Sequence, residues 1–470
     1  VKTEKSATEK GSAVEKFAKT FEAVIPDALT ASLFMLIFVV ILGLALGIPI
    51  VGKVTYAGKS YDGILDAFYK GLWMLLAFVT QMSLIALFGG VLARAPLLRR
   101  ALDRLALLPK SPAQAIALIV IITAILGYIH WGLAVILGPI FAAIVCMACE
   151  RKGVKVDFLV ALASAYIAHS IWQLGISSSA PLIVASKGHF LEEVTGVMPL
   201  TTTIWSPACV TFAITATIAF VIYGILVHKG VRVPKAISEY PEAVKAVTLL
   251  TATDGGGIPE KLTFSQRLER SRVVAILLAL FLLTWVIYEQ AILKVTFGIN
   301  TINTVFFVLA LLLHGNVYNF SRALADSVRA VWPILVIYNV YAGIGGIFQY
   351  TPLGYMISGA IGAIATPLTY PFLMWVAGTI VAIFVPSSGG QWIIQGLITV
   401  KSAEAVGVSY QRGLLSLGVG DQQGNLWSPF WYIVAASVVG MDFRKIFGFG
   451  FLAGFIWAVL GILCYTFLPC

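Results

Sequence analysis

Residues 366–400 read TPLTYPFLMWVAGTIVAIFVPSSGGQWIIQGLITV, an apolar stretch interrupted at its centre by Pro386-Ser387-Ser388-Gly389-Gly390-Gln391-Trp392. An uninterrupted helix does not tolerate that centre, since Gly costs about 1 kcal/mol in a helix interior and Pro about 3. In hydrocarbon the freed N–H and C=O groups cost still more, so such a break persists only where protein or a wet cavity satisfies it. The stretch therefore predicts two helical pieces joined at membrane depth. Three other apolar stretches carry similar interruptions. They are Gly127-Tyr-Ile-His130-Trp131-Gly132 in 113–149, Trp172-Gln173-Leu-Gly175-Ile-Ser177-Ser178-Ser179-Ala-Pro181 in 158–186, and Gly418-Val-Gly420-Asp421-Gln422-Gln423-Gly424-Asn425 through Ser428-Pro429 in 409–439.

Composition agrees with a membrane setting. Of 470 residues, 59% are hydrophobic and 11% charged, against roughly a quarter charged in soluble domains. Spans are expected at about 29–50, 71–93, 158–186, 202–227, 273–291, 300–314, 330–357, 409–439 and 446–468. The runs are continuous, without the alternation of barrel strands, so helices are expected. The net charge of +10 comes from basic residues lying mostly between apolar segments. Topology explains them better than nucleic acid does, and the partner implied is the lipid bilayer. Cys146 and Cys149 have metal-site spacing, but no second pair or nearby His completes a site; they read as packing residues, and no cofactor is expected. Residues 1–28 read as a cytosolic polar or amphipathic leader rather than a signal peptide.

The positive-inside rule then sets the orientation. With the N-terminus in the cytoplasm, Arg94, Arg99, Arg100, Arg104, Lys110, Arg151, Lys152 and Lys155 fall inside if 113–149 enters and leaves on one side. The polar linker 229–270 and Arg322, Arg329, Arg444 and Lys445 also fall inside, and the C-terminus falls outside. Each half repeats one order of parts: a long span, an interrupted stretch, an interrupted span and an uninterrupted span. Gly132-Leu-Ala-Val-Ile-Leu-Gly138-Pro-Ile140 matches Gly390-Gln-Trp-Ile-Ile-Gln-Gly396-Leu-Ile398 in register. One interrupted stretch is approached from the cytoplasm and the other from outside, so the repeats are inverted. That pattern is the best sequence pointer to the site of a secondary transporter. The repeats run over 29–228 and 271–470, divided into scaffold parts (29–110, 271–360) and transport parts (111–228, 361–470).

A break exposes N–H groups at one half-helix, which attract anions, and C=O groups at the other, which suit cations. Hydroxyls and amides complete both. The expected anion set is His130, Gly175, Ser177, Ser178, Ser179, Ser387, Ser388, Gly389, Gly390, Gln391 and Asn425. The expected cation or proton set is Asp421, His130, Ser388, Gln422 and Asn425. Asp421 stands out because its flanks are apolar and intramembrane carboxylates are rare and functional. The bland readings are a Ser cap before Pro181, an extramembrane turn at Pro386–Gln391, a surface His130 and a solvated Asp421.

Ile302-Asn303-Thr304-Val305, Leu311-Leu-Leu-His314, Val385-Pro-Ser-Ser-Gly-Gly-Gln-Trp-Ile-Ile-Gln-Gly396, Gly420-Asp421 and Ser428-Pro429-Phe430-Trp431 together resemble the short-chain fatty acid uptake (AtoE) family. Leu75-Leu-Ala-Phe-Val-Thr-Gln81-Met82 also fits, and the likeness covers roughly 25–468. The resemblance implies membership of the ion-transporter superfamily. It carries with it an all-α polytopic fold with inverted repeats, two re-entrant hairpins and two broken helices, a homodimeric scaffold in the inner membrane, and elevator-type movement. The hairpin tips would be 129–132 and 386–391, and the cargo a short-chain monocarboxylate such as acetoacetate or butyrate, moved by symport with H+ or Na+. Superfamily relatives often carry Ser-Asn-Thr at sodium-binding tips. Here the tips read Ile129-His130-Trp131 and Pro386-Ser387-Ser388, which moves the weight toward Asp421 or His130 as a proton carrier. A dicarboxylate or amino-acid-conjugate carrier and an anion channel are the alternatives. An enzyme lacks support, with no His-Glu-x-x-His or Gly-x-Ser-x-Gly motif.

Overall fold

The computed structural model describes residues 28–251, 262–295, 297–328 and 331–470. Most of the leader, the Gly255-Gly256-Gly257 run and Arg329 lie outside the described residues. The first half of the chain holds α1 (Ala28–Ala45), a hairpin of β1 (Lys53–Tyr56) and β2 (Lys59–Asp62), α2 (Ile64–Met74), α3 (Leu76–Ala93), α4 (Pro96–Leu105), α5 (Pro112–Ile129), α6 (Trp131–Arg151), α7 (Phe158–His169), a 3₁₀ turn (Ser170–Leu174), α8 (Ser179–Ala185) and α9 (Pro207–Gly230). The second holds α10 (Arg272–Ala291), α11 (Ile299–His314), α12 (Val317–Ser327), α13 (Trp332–Tyr350), α14 (Leu353–Ile364), α15 (Tyr370–Ala382), α16 (Ser388–Val406), α17 (Tyr410–Trp427), α18 (Phe430–Val438) and α19 (Arg444–Phe467). Among the described residues, seven helices are long and apolar enough to cross a membrane, or nine if the bent pairs α11–α12 (119°) and α13–α14 (71°) each count as one span.

Local chemistry sets the helix starts. Pro112 and Pro207 sit in first turns, where no N–H is needed. Ser111, Asp157, Ser206 and Ser409 accept N–H bonds from Gln114, Val160, Cys209 and Arg412. Gly315 and Gly407 close α11 and α16 in the left-handed region.

Both interrupted stretches are antiparallel hairpins. Across the first, a Cβ on Gly138 would lie 2.7 Å from the Thr123 methyl, and one on Gly127 would lie 3.4 Å from Ala134. Those pairs are equidistant about the turn. Across the second, Gln391 Nε2 donates to Gly378 O at 2.7 Å and Tyr370 Oη to Thr399 O at 2.7 Å. The span 158–186 is broken at the 3₁₀ turn and Gly175–Ser178, as its Gly and Ser residues predict.

Two expectations need correction. The last break is not at Gly418–Asn425: α17 runs through those residues and ends at Ser428-Pro429. Its glycines serve close packing instead. A Cβ on Gly420 would lie 2.4 Å from Trp375 O, and one on Gly424 would lie 2.3 Å from Ala382 Cβ, both on α15. The span expected at about 71–93 covers the end of α2 and the whole of α3, with an interruption at Leu75, and the part long and apolar enough to cross a membrane is Leu76–Ala93. The fold is all-α, as expected, apart from one short β-hairpin, whose turn places Ala57 (φ 49°) and Gly58 (φ 75°) in the left-handed region that two-residue hairpin loops require.

The elements form two layers. In one, α2 crosses α13 so closely that a Cβ on Gly71 would lie 2.4 Å from Ala342 O. In the other, the hairpins pack on α7 and α17, and α9 packs on α19, with the Phe212 and Trp457 rings 4.5 Å apart. The second arm of each hairpin also reaches the far piece of the other region's broken helix: α16 meets α8, and α6 meets α18. The outward faces are apolar. Only 17% of the spanning window of α10 is buried, and Phe281 and Leu277 are exposed. Lipid would satisfy such a surface; water would not.

Candidate functional site

The first hairpin turns at a single residue. His130 is extended, caps α6 and is fully buried. Its Nδ1 accepts from Gly132 N–H at 2.9 Å, so its Nε2 carries the proton and donates to Ile85 O at 2.9 Å. Phe306 lies 4.6 Å from the ring, and a Cβ on Gly89 would come within 2.3 Å of it. Ile85 and Gly89 belong to the middle and second half of α3, so the tip lies alongside that helix rather than beyond its end. Both imidazole nitrogens are thus committed to backbone, and the ring is packed between tip and scaffold. Beside it, Trp131 N–H donates to Ser177 Oγ at 2.9 Å.

Gly175 is required by space. Its φ is an ordinary −105°, but a Cβ there would lie 2.2 Å from Tyr128 O, while Ile176 N–H donates to the same carbonyl at 2.7 Å. These contacts tie the first hairpin tip to the break in α7–α8.

The second tip is tied to the same break. Ser387 caps α16 through Gly390 N–H and shares a hydrogen bond with Tyr338 Oη. Ser388 Oγ accepts from Gln173 Nε2 at 3.2 Å and Ala180 N–H at 3.4 Å. Gly389 N–H donates to Ser179 Oγ at 2.9 Å, and Trp431 Nε1 donates to Pro386 O at 3.0 Å. Gly390 lies under Tyr341, where a Cβ would come within 2.6 Å of the ring.

Two spaces meet at this junction. The larger, about 790 Å³, lies between the layers. Its walls include Met82, Ala86, Tyr338 and Tyr341 from one layer, and Trp131, Trp172, Ser179, Ser387 and Trp431 from the other. Arg94 also lines it, holding Gly90 O at 2.9 Å and Ser327 Oγ at 3.1 Å, with Asp326 nearby on the wall. This volume is within the usual range of small-molecule sites.

The smaller chamber, about 10 Å³, has room for one water-sized occupant. Gln173, Ser388, Gln391, Asp421 and Tyr465 line it. Both Asp421 oxygens, Gln173 Oε1 and Gln391 Oε1 are buried without a partner among the described residues. The two amide nitrogens are already used: Gln173 Nε2 on Ser388, and Gln391 Nε2 on Gly378 O and Gln395 Oε1. Apart from the Tyr465 hydroxyl on its wall, the chamber therefore presents acceptor oxygens. No group of three or more His, Cys, Asp or Glu suited to a transition metal occurs among the described residues.

The structure thus divides the sequence-derived set. Ser179 and Ser387 face the large cavity; Ser388, Gln391 and Asp421 face the chamber. His130, Gly175, Ser177, Gly389 and Gly390 hold the tips in place. Ser178 is fully buried, and its Oγ has no partner among the described residues. Gln422 and Asn425 line neither space. Gln422 Nε2 donates to Ser170 Oγ at 2.9 Å, and Asn425 O accepts from Tyr166 Oη at 2.8 Å, so they fasten α17 to the α7 break. Sequence reasoning missed His169 and Arg94 and gave no role to Trp172 or Gln173. For His169, Trp172 and Gln173 the signal was proximity to a break; Arg94 was legible only as a basic residue in the topology.

Comparison with known proteins agrees with this architecture. The YdaH transporter of Alcanivorax borkumensis superposes with TM-score 0.59 at 14% identity, covering 94% of this chain and 97% of its own. MtrF of Neisseria gonorrhoeae, of a class of antimetabolite efflux pumps, superposes with TM-score 0.59 at 12% identity, covering 96% and 97%. At these identities the likeness is one of fold. Proteins provisionally named short-chain fatty acid transporters are similar in sequence. The Haemophilus influenzae protein is 27% identical over 420 residues, 86% of this chain and 90% of its own. The Escherichia coli protein is 28% identical over 379 residues, 81% and 84%. The sequence profile described as "Short chain fatty acid transporter" matches residues 12–468, nearly the whole chain. A multi-pass helical protein matched over that length is a transporter rather than an enzyme, and the chain belongs to the short chain fatty acid transporter family.

Proposed function

We propose that this chain is a secondary transporter that moves a short-chain monocarboxylate together with a monovalent cation, H+ or Na+. The observation that carries the reading is the shared wall between the two spaces. Ser387 faces the large cavity while its neighbour Ser388 faces the chamber; Trp172 and its neighbour Gln173 divide in the same way. An anion in the cavity and a cation in the chamber would each lower the other's cost of leaving water, because their fields act at short range in a poorly screened site. A sodium ion held by Asp421 and the glutamine oxygens meets the chamber's chemistry. So does a proton on Asp421 donated to one of those oxygens.

The cavity favours one carboxylate. Among the described residues, Arg94 is the only Lys or Arg on its wall, and the remainder is mostly aromatic and aliphatic. A dicarboxylate would require more fixed positive charge. With Arg94 on the cytoplasmic side of the positive-inside topology, the cavity corresponds to an inward-facing arrangement in the inner membrane. The reciprocal packing of hairpins and broken helices supports inverted repeats. The two layers support an elevator-type cycle, in which hairpins and broken helices move against a homodimeric scaffold built from 29–110 and 271–360.

Counterflow tests the cargo. Proteoliposomes loaded with butyrate should take up labelled butyrate, with competition from acetoacetate and propionate but not succinate. Equal competition by succinate would contradict the single-carboxylate site.

A further inference from the structure

The chain has five histidines, and four have backbone partners. His130 bonds Gly132 N–H and Ile85 O. His189 bonds Leu191 N–H and Gly196 O, His228 accepts from Asp157 N–H, and His314 bonds Val91 O. His169 differs. It is 4% exposed, neither ring nitrogen makes a well-formed hydrogen bond among the described residues although the Trp131 backbone lies within reach, and the residue lines the large cavity. Trp172 matches it, being 6% exposed, unpartnered at Nε1 and on the same wall. Trp375 and Trp392 also have unpartnered Nε1 groups, but neither lines the cavity.

Backbone geometry explains the pairing. α7 ends at His169 and tightens into a 3₁₀ turn over Ser170–Leu174. Residues three apart eclipse on such a turn, whereas on an α-helix they are offset. The two rings accordingly lie 6.2 Å apart at 29°, facing the same way. Ser179, across the break, adds a third donor: its Oγ accepts from Gly389 N–H, which leaves the hydroxyl proton free.

We infer that His169 and Trp172, with Ser179, seat the substrate's carboxylate. This rests on the transport reading above and assigns its head-group site. Indole N–H only donates, and imidazole presents at least one N–H. Buried polar groups are almost always paired, so two adjacent unpaired ones on a cavity wall mark where a ligand supplies the partner. An anion with two acceptor oxygens matches that need. The alkyl chain then lies against Trp131, Val135, Ile136 and Trp431. The neutral amide of the same acid matches it poorly, because one end of its head group also donates.

Binding to purified full-length protein in nanodiscs tests this, using labelled butyrate and butyramide. Trp172→Phe keeps the ring and removes the N–H, and His169→Phe removes both nitrogens. Each should raise the Kd for butyrate about 10-fold or more, the usual loss for one hydrogen bond to a charged group, and leave butyramide binding within about 2-fold. His169→Gln restores a donor and should recover part of the affinity, which a merely structural role would not produce. Wild-type affinity for butyrate in both Trp172→Phe and His169→Phe would overturn the seat while leaving the transport reading intact. A wild-type protein that binds no monocarboxylate would overturn both.

Discussion

Asp421 carries the most weight of any single residue. Its carboxylate is 1% exposed and has no partner among the described residues. A buried carboxylate without a donor is costly unless a cation or a proton joins it. Asp421→Asn keeps the shape and removes that requirement. The variant should still bind butyrate and should lose cation-driven accumulation by 10-fold or more; uptake that still follows the wild-type gradient would remove Asp421 from the coupling. His130 illustrates the opposite case: the sequence offers it for anion binding or proton transfer, and both its nitrogens bond the backbone at the hairpin tip. His169 was not legible, because it lies within the unbroken run Leu162–Ile171 and its significance comes from the turn that follows. Gly175→Ala offers a direct residue-scale check. The new methyl would meet Tyr128 O, so a cost of about 1–3 kcal/mol from overpacking is expected, read as a lower thermal midpoint of the purified protein. An unchanged midpoint would show that the tip tolerates displacement there.

Among the elements, hairpins and broken helices could be read from the sequence wherever Pro and Ser accompany Gly, as at Pro386–Gln391 and Gly175–Pro181. Gly alone was ambiguous, since Gly127 and Gly132 flank a true turn at His130. Gly418, Gly420 and Gly424 sit on a continuous helix, because a residue without a side chain permits close packing as readily as it permits a break. The β-hairpin was missed because its strands are four residues long and polar. Its base is held by Asp62, bonded to both Lys53 and Lys70. Those two hydrogen bonds hold the Asp62 carboxyl below its ordinary 3.8. A lowered folded-state pKa gives stability that is present above the unfolded value and lost as pH falls through the folded one. Both lysines are largely exposed, so the contribution is about 1 kcal/mol or less. Hydrogen exchange over 53–62 should therefore be steady from neutral pH to about 5 and faster below about 4 once corrected for intrinsic rate. Asp62→Asn should remove that pH dependence.

For the whole molecule, charge distribution and the order of breaks were enough to propose inverted halves before any coordinates. The depth of the tips and the division of the junction into two spaces were not accessible that way, since they depend on which side of one helix turn each neighbour faces. Orientation has its own test. Cysteines at Lys187 and Lys235 should react with an impermeant reagent from opposite sides of the membrane, and labelling of both from one side would contradict the topology. The central claim is that the two adjoining spaces bind an anion and a cation together. It is tested most directly by uptake of labelled butyrate into proteoliposomes with a sodium gradient and a pH gradient imposed separately. The account predicts accumulation above the equilibrium level under at least one gradient, abolished in Asp421→Asn. Uptake that only equilibrates, at the same rate with either gradient or none, would contradict it.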